Sequence, residues 1–182
     1  MADKSLVGTR VVMIIAPEEF RDEELLTPKK ELTEAGADVK VASTRPGEAS
    51  GMLGAKVSPD LVLSNVRAED FDAIIIVGGM GSPEHLWDDR ALHTLLKNMH
   101  SQGKVVAAIC LSGAVLAKAG ILNGKQATVW PMPESLKALK DGKANYLKQP
   151  VVQDGRVVTA DGPEAAHAFA STIIKELSKV KV

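Results

Sequence analysis

The chain contains little cysteine and few aromatic residues. Of its 182 residues one is cysteine, and Phe, Trp and Tyr together make up 3%. A single cysteine excludes an intrachain disulfide framework and a zinc site built from several cysteines. A reducing, cytoplasmic environment is therefore the expected compartment. With so few rings available, the core has to be built from Val, Ile, Leu, Ala and Met.

The sequence also lacks an excess of charge and a long apolar run. The formal net charge is −1, from 22 basic and 23 acidic residues. This balance gives no electrostatic reason to expect nucleic acid or an anionic membrane as a partner. Apolar stretches such as Ala73–Val77 are far shorter than the ~20 residues of a membrane helix, and no secretory signal is visible. The length predicts one domain over residues 1–182.

Short apolar runs alternate with amphipathic segments along the chain. Strands are predicted at Arg10–Ala16, Asp38–Ser43, Phe71–Val77, Val105–Ile109, Gln126–Val129, Val151–Gln153 and Val157–Thr159. Helices are predicted at Asp22–Ala35, Asp89–Ser101, Ser112–Ala119 and Glu164–Lys179. Short strands or a hairpin are expected at Gly51–Val57 and Leu61–Leu63, with the turn around Lys56 to Asp60. The pattern predicts an α/β fold: a doubly wound, mostly parallel sheet with helices on both faces.

Three chemically distinctive segments follow predicted strands of this sheet. They are Pro17–Glu24, the pair Gly78-Gly79, and Cys110. Ligands of doubly wound sheets bind at the carboxyl ends of the strands. We therefore expect these three segments to meet at one site although they are far apart in sequence.

Cys110 lies between a buried strand and the start of a helix. Its small neighbours, including Ser112 and Gly113, allow a sharp turn of the kind that forms a nucleophile elbow. A thiol at a helix N-terminus faces free N–H groups, which lower its pKa, so we expect a thiolate at neutral pH. The alternative is a buried structural cysteine, since cysteine is among the most buried residue types.

The other two segments offer groups that would assist a thiolate. A backbone N–H group of Gly78-Gly79, together with that of Leu111, would form an oxyanion hole. The alternative interpretation of the glycine pair is a turn that binds no ligand. One acid of the cluster from Glu18 to Glu24 would face the cysteine. The alternative for this cluster is a solvated first helical turn, in which acids are favoured by the helix dipole.

Four segments together resemble the ThiJ/PfpI superfamily, which includes the parkinsonism-associated deglycase and the PfpI-type intracellular cysteine proteases. They are VVMIIAPEEFRDEELLTPKKELTEAGADV, FDAIIIVGGMGSPEHL, GKVVAAICLSGAVLAKAGIL and VVQDGRVVTADGPEAAHAFA. The resemblance implies a flavodoxin-like fold, similar to class I glutamine amidotransferases, without a metal or cofactor. It also implies a homodimer or a larger homo-oligomer. Leu86 and Trp87, expected to be exposed, are candidate interface residues, with local packing as the alternative.

The resemblance also implies the roles of individual residues. Cys110 matches the elbow cysteine, and Gly79 and the Leu111 amide match the oxyanion hole. Surrounding residues of the site are then Gly78, Ser112 and Trp130. The family's glutamate lies four residues before the helix proline, which places it at Glu24 when counted back from Pro28. Counting forward from the first strand gives Arg21 instead, and we favour Glu24 because the chemistry requires a carboxyl group.

The chain departs from the family pattern at both usual histidine positions. Leu111 stands where protease-like members have a histidine, and Trp130 stands where other members have one before a proline. A Cys–His dyad is therefore not supported, which weakens peptide hydrolysis because an amine leaving group needs a proton donor. The remaining histidines are expected to be surface or packing residues, with only His85 in a loop near the site: His85, His93, His100 and His167.

The chain has three candidate functions, of which the first is implied by the family resemblance and not by composition or spacing. The first is an enzyme in which the Cys110 thiolate adds to a small reactive carbonyl, with glyoxalase-like or deglycase-like chemistry and Glu24 as general acid and base. The second is a cysteine protease or amidase, which the absent histidine disfavours. The third is a non-enzymatic stress protein, redox-sensing or chaperone-like, whose cysteine reacts with oxidants. The expected partner is thus a small-molecule substrate or an oxidant.

Overall fold

A computed structural model of the protein describes residues 4–179. The strands are β1 Arg10–Ile15, β2 Glu18–Phe20, β3 Asp38–Ser43, β4 Ala49–Gly51, β5 Lys56–Val57, β6 Leu61–Val62, β7 Ala73–Ile76, β8 Val105–Ile109, β9 Gln126–Ala127, β10 Asn145–Tyr146, β11 Val151–Asp154 and β12 Val157–Ala160. The α-helices are α1 Asp22–Glu34, α2 Ser82–His85, α3 Arg90–Ser101, α4 Gly113–Lys118, α5 Pro133–Asp141 and α6 Ala166–Ser178. Four short 3₁₀ turns complete the set: Leu63–Asn65, Ala68–Asp70, Cys110–Ser112 and Pro163–Ala165.

Seven strands form the central sheet, in the order β11-β12-β8-β7-β1-β3-β6. All neighbours are parallel except β11, which pairs antiparallel with β12. From β1 the chain winds outward in one direction through β3 and in the other through β7 and β8. Because parallel crossovers are right-handed, these opposite directions place α1 and α3 on opposite faces of the sheet. The predicted doubly wound α/β fold is confirmed.

The innermost strands are buried on both faces, as continuous apolar sequence predicts. Val11 to Ile15 in β1 and Ala73 to Ile76 in β7 are inaccessible to solvent. Helix α3 covers one face with an apolar stripe of Leu92, Leu95, Leu96 and Met99. Its first residue follows Asp89, whose carboxylate accepts the Leu92 N–H at 2.8 Å and caps the helix.

Several boundaries differ from the sequence predictions. The hairpin joins β4 to β5, so its turn occupies residues 52–55 and not Lys56 to Asp60. Helix α5 and strand β10 have no counterpart among the predicted elements. Strand β9 ends at Ala127 and pairs with β10 in a separate two-stranded sheet, outside the main one. These elements are only two to nine residues long, so their formation depends on tertiary packing more than on local pattern.

Leu86 and Trp87 are buried within the chain, with 0% and 8% of their surface exposed. The expectation that they are exposed residues of an interface is therefore wrong, and local packing accounts for them. The Trp87 indole N–H donates a hydrogen bond of 2.9 Å to the Leu111 carbonyl oxygen, which satisfies its polar group in the core.

The segment after β1 is held over the carboxyl ends of the strands by a small second sheet. Strand β2 pairs with β4, which carries the β4–β5 hairpin to this edge. The Asp22 carboxylate fixes the hairpin by accepting the N–H groups of Leu53 and Ala55 at 3.0 and 2.9 Å. Within residues 4–179, no helix is both long and apolar enough to cross a membrane.

Candidate functional site

Cys110 occupies a strained turn between β8 and α4. Its φ angle is +60°, in the left-handed region that side chains other than glycine rarely adopt. Hydrogen bonds hold the turn in place. The Ser112 hydroxyl bonds to the Val77 carbonyl oxygen at 2.6 Å and lies 2.7 Å from the Ser82 hydroxyl. The Trp130 N–H donates to the Cys110 carbonyl oxygen at 3.2 Å. The strand-to-helix elbow is thus held by the segment that follows β7, by α2 and by the segment that follows β9.

Glu24 is the acid that lies beside this cysteine. It stands in the first turn of α1, and its side chain is fully buried. A Cβ atom added to Gly78 would lie 2.6 Å from both the Cys110 Cβ and the Glu24 Oε1. The absence of a side chain at Gly78 therefore lets the thiol and the carboxyl group meet. Neither Glu24 oxygen has a conventional hydrogen-bond partner among residues 4–179.

Burial dominates the ionisation of Glu24. It raises the pKa of this carboxyl group from 4.5 to about 8, because the charged form loses its hydration. The thiol of Cys110 and the positive charge of Arg21 oppose the rise without cancelling it. Glu24 thus retains a proton at pH values where an exposed glutamate is ionised.

The expected lowering of the Cys110 pKa is wrong. Burial raises the pKa of the thiol, and the negative charge of the Glu24 carboxylate raises it further. The backbone N–H groups of Leu111 and Gly79 act in the opposite direction. Helix α4 has only six residues and begins after a 3₁₀ turn, so its dipole contributes less than the sequence suggested. Glu24 and Cys110 are electrostatically coupled, so ionising one of them makes ionisation of the other unfavourable.

Two backbone N–H groups face the Cys110 sulfur, from Leu111 and Gly79. Gly79 has a φ angle of +112°, and an added Cβ would lie 2.5 Å from the Arg21 nitrogen. Only glycine fits this conformation and this close approach of two backbones. The arrangement offers donors to a negative charge on sulfur, or on an oxygen bound next to it.

A cavity of about 130 Å³ opens above the sulfur. Liquid water occupies about 30 Å³ per molecule, so the cavity has room for about four waters or a molecule of a few carbon atoms. Most of its wall is apolar. It is lined by Arg21, Met52, Gly79, Met80, Cys110, Leu111, Trp130 and Pro163.

The structure brings together the residues that the sequence singled out. Cys110, Gly79, Leu111 and Trp130 line the cavity, while Gly78 and Ser112 support it from below. None of the histidines lines the cavity in the described part of the chain. His93, for example, hydrogen-bonds to the Trp87 carbonyl oxygen at 2.8 Å, as a packing residue does.

Sequence reasoning missed the cavity residues Met52, Met80 and Pro163, and it gave Arg21 no role as a cation. Met80 follows Gly79 directly, so its proximity was available from the sequence. Met52 reaches the site only because β2 pairs with β4, which no local pattern indicated. Its sulfur accepts the Met80 N–H at 3.4 Å, which joins two of the cavity walls.

Replacing Gly78 by alanine is expected to damage both the fold and the thiol environment. The new methyl group would meet the Ile109 carbonyl oxygen at 2.6 Å as well as the two site residues, and backbone cannot move aside cheaply. Overpacking of this kind costs about 1–3 kcal/mol of unfolding free energy. Urea unfolding and the rate of Cys110 alkylation by iodoacetamide measure the two effects.

Gly124→Ala is the control for this variant. Gly124 has a φ of +75° but nothing within 4 Å of an added Cβ, so its replacement tests backbone strain without a clash. We expect Gly124→Ala to leave the alkylation rate unchanged. Equal alkylation rates in wild type and Gly78→Ala would mean that the contact between the Cys110 thiol and the Glu24 carboxyl group does not depend on Gly78.

Comparison with known proteins identifies the family and the fold. The model of the DJ-1/PfpI family matches residues 9–176. A protein of Methanocaldococcus jannaschii is 45% identical over 176 residues, which cover 97% of this chain and 86% of that protein. A deglycase of Pyrococcus abyssi is 33% identical over 170 residues, covering 91% and 98%. The crystal structure of a ThiJ/PfpI domain protein from Brachyspira murdochii is 34% identical with a TM-score of 0.88, covering 93% of this chain and 96% of that one.

Proposed function

Because the chain belongs to the DJ-1/PfpI family, we propose that it is an enzyme that converts small α-oxoaldehydes through the Cys110 thiolate. The supporting observation is a thiol that lines one small cavity, faces two backbone N–H groups and lies beside a buried carboxyl group. The name of the Pyrococcus abyssi relative, a deglycase, supports carbonyl chemistry, since glycation begins with addition to a carbonyl group.

The proposal places the single negative charge of the Glu24–Cys110 pair on sulfur. The sulfur faces two backbone N–H groups, from Leu111 and Gly79, whereas the Glu24 carboxyl group faces one, from Gly78. A charge is better stabilised where donors already point at it. The reactive form of the singly ionised pair is the one in which the remaining proton lies on Glu24 and the thiolate is the nucleophile.

Addition is the first step. The thiolate sulfur forms a bond to the aldehyde carbon, and the electron pair of the C=O bond moves to oxygen. The backbone N–H groups of Gly79 and Leu111 stabilise this oxyanion. Glu24 then gives its proton to the oxygen, which leaves a hemithioacetal on Cys110 and a carboxylate at Glu24.

A proton shift and a hydrolysis complete the cycle. The Glu24 carboxylate removes the proton from the carbon bonded to sulfur and returns it to the neighbouring carbonyl carbon through an enediolate. The hydroxyl proton moves from the first oxygen to the second, which yields a thioester of a 2-hydroxy acid. Water attacks the thioester, its proton goes to Glu24, and the C–S bond breaks to restore the thiolate. One carbon is oxidised and its neighbour reduced, so no external oxidant is needed.

Several observations favour this reaction over the alternatives. In the described residues no histidine reaches the cavity to protonate an amine leaving group, which disfavours a protease. The cavity matches a short carbonyl compound in size. A nucleophilic thiol has to stay reduced, so we also propose that the protein works in a reducing compartment such as the cytoplasm.

The test is a ¹H NMR time course of wild-type protein with methylglyoxal in D₂O. We expect lactate to appear as methylglyoxal disappears, with part of the product deuterated at C2 because the Glu24 proton exchanges with solvent. Parallel samples contain a peptide substrate or hydrogen peroxide. Peptide cleavage without lactate would favour the protease, and oxidation of Cys110 without lactate would favour the redox sensor; either result overturns the proposal.

A further inference from the structure

Arg21 is the one residue with a fixed charge among those that line the cavity over Cys110. Its side chain is part-buried, with 29% of its surface exposed. The guanidinium lies near enough to Cys110 and Glu24 for their negative charges to raise the pKa of Arg21, after the larger effect of its hydrogen bond to Glu23. A cation thus stands at the edge of an otherwise apolar pocket.

The guanidinium is held in place and still has donors to offer. Its Nε donates to Glu23 Oε2 at 2.6 Å, and its Nη2 donates to Glu23 Oε1 at 3.4 Å. An arginine carries five N–H donors in a rigid fork, so these two bonds leave three. Among residues 4–179 no other hydrogen bond to this side chain is formed. The pair with Glu23 restricts the guanidinium without saturating it.

We infer that the site prefers α-oxoaldehydes that carry a carboxylate, and that Arg21 binds this carboxylate. The inference rests on the proposed function and adds the substrate class. The planar guanidinium matches a carboxylate in geometry as well as in charge. The other walls, from Met52, Met80 and Trp130, offer the carbon chain of the substrate an apolar surface.

Electrostatics explains why the site needs a cation for such a substrate. The reactive form of the Glu24–Cys110 pair carries one negative charge, which repels an approaching carboxylate. Arg21 supplies the opposite charge at the mouth of the cavity and offsets that repulsion. Charge-assisted hydrogen bonds of this kind change binding about 10- to 100-fold.

The first experiment compares 4,5-dioxopentanoate with 2-oxopentanal, two five-carbon α-oxoaldehydes that differ in the terminal carboxylate. We expect wild type to have a kcat/KM at least about tenfold higher for the anion. Arg21→Gln should weaken this preference by lowering kcat/KM for the anion about 10- to 100-fold more than for the neutral compound. Arg21→Lys should keep part of the preference because it keeps the charge.

The second experiment separates this inference from the proposed function, because it needs no carbonyl turnover. Cys110 is alkylated with anionic iodoacetate and with neutral iodoacetamide, and the ratio of the two second-order rates is measured. Any effect of Arg21 on the thiol pKa cancels in this ratio. We expect Arg21→Gln to lower the iodoacetate-to-iodoacetamide ratio about tenfold. Glu23→Gln, which frees the guanidinium from its partner, should leave the ratio unchanged or raise it.

A negative result in the first experiment and a negative result in the second have different meanings. If no α-oxoaldehyde is converted but the alkylation ratio falls in Arg21→Gln, the proposed function is wrong and the anion site stands. If 2-oxopentanal and 4,5-dioxopentanoate lose kcat/KM equally in Arg21→Gln, Arg21 only positions the site. That result, or an alkylation ratio unaffected by Arg21→Gln, overturns the inference.

Discussion

Cys110→Ser is expected to lower the conversion of methylglyoxal about a thousandfold or more. Serine nearly preserves the shape of cysteine, so the elbow and the cavity should remain. Its hydroxyl holds its proton far more tightly than a thiol does, however, and no histidine in the described residues lines the cavity to activate it. Without a nucleophile only binding and the two backbone N–H groups remain. Lactate formation followed by ¹H NMR gives the two rates.

Met80→Leu is the matched control for Cys110→Ser. Met80 lines the same cavity and contains sulfur, but its thioether is not a nucleophile under these conditions. We expect this variant to retain most of the wild-type rate, which would assign the loss to the thiol and not to a general change in the cavity. A Cys110→Ser protein that converts methylglyoxal at the wild-type rate would rule out Cys110 as the nucleophile.

Glu24→Gln is expected to lose activity and gain stability. The amide is close in size to the carboxyl group but cannot take up and return a proton, so the turnover of methylglyoxal should fall about 10²- to 10⁴-fold. Stability should change in the opposite direction, because glutamine removes a buried ionisable group that lacks hydrogen-bond partners among the described residues.

The gain in stability should depend on pH with a definite sign. Glu24 has a pKa of about 8 in the folded protein and an ordinary value of 4.5 when exposed. Between these values the folded state keeps a proton that the unfolded state has lost, so the free energy of unfolding falls as the pH rises. The contribution is fully present below pH 4.5 and lost by about pH 8. At 1.36 kcal/mol per pH unit, the total loss is on the order of 5 kcal/mol.

Urea unfolding of wild type and Glu24→Gln between pH 5 and pH 8 measures this change. We expect the midpoint of Glu24→Gln to rise relative to wild type across that range. Glu23→Gln is the control, since the neighbouring Glu23 side chain is 38% exposed and its replacement should shift stability by about 0.5 kcal/mol or less. A midpoint difference between wild type and Glu24→Gln that does not grow with pH would mean that Glu24 ionises as an exposed acid does.

The sequence was sufficient for the central architecture. Buried strands such as Val105–Ile109 are continuous apolar runs, and glycines follow the predicted helices. The strands, the helices and the ends of the helices could therefore be predicted from the sequence. The short elements could not be predicted from the sequence. Strand β2 lies in the acidic stretch before the predicted helix, where the sequence predicts no strand, and it exists because it pairs with β4. Helix α5 begins at Pro133 after an extended segment, and its packing on α4 has no local signature.

The candidate site was predictable in its residue types but not in its electrostatics. Topology alone brings Gly79 and Cys110 to one edge of the sheet. Burial, in contrast, depends on the whole packed environment. The fully buried carboxyl group of Glu24 and the raised pKa of the Cys110 thiol therefore lay outside sequence reasoning. The same limit applies to Arg21, whose charge was visible but whose place at the cavity was not.

The most direct test of the account is mass spectrometry of Glu24→Gln after a brief exposure to methylglyoxal. In this variant addition can still occur, while the proton shift that follows it is blocked. After an acid quench and peptic digestion at low pH, which slow the release of a hemithioacetal, we expect the peptide that contains Cys110 to carry one methylglyoxal-derived group. An unmodified Cys110 peptide in that variant, together with lactate formation by wild type, would contradict covalent carbonyl chemistry at this sulfur.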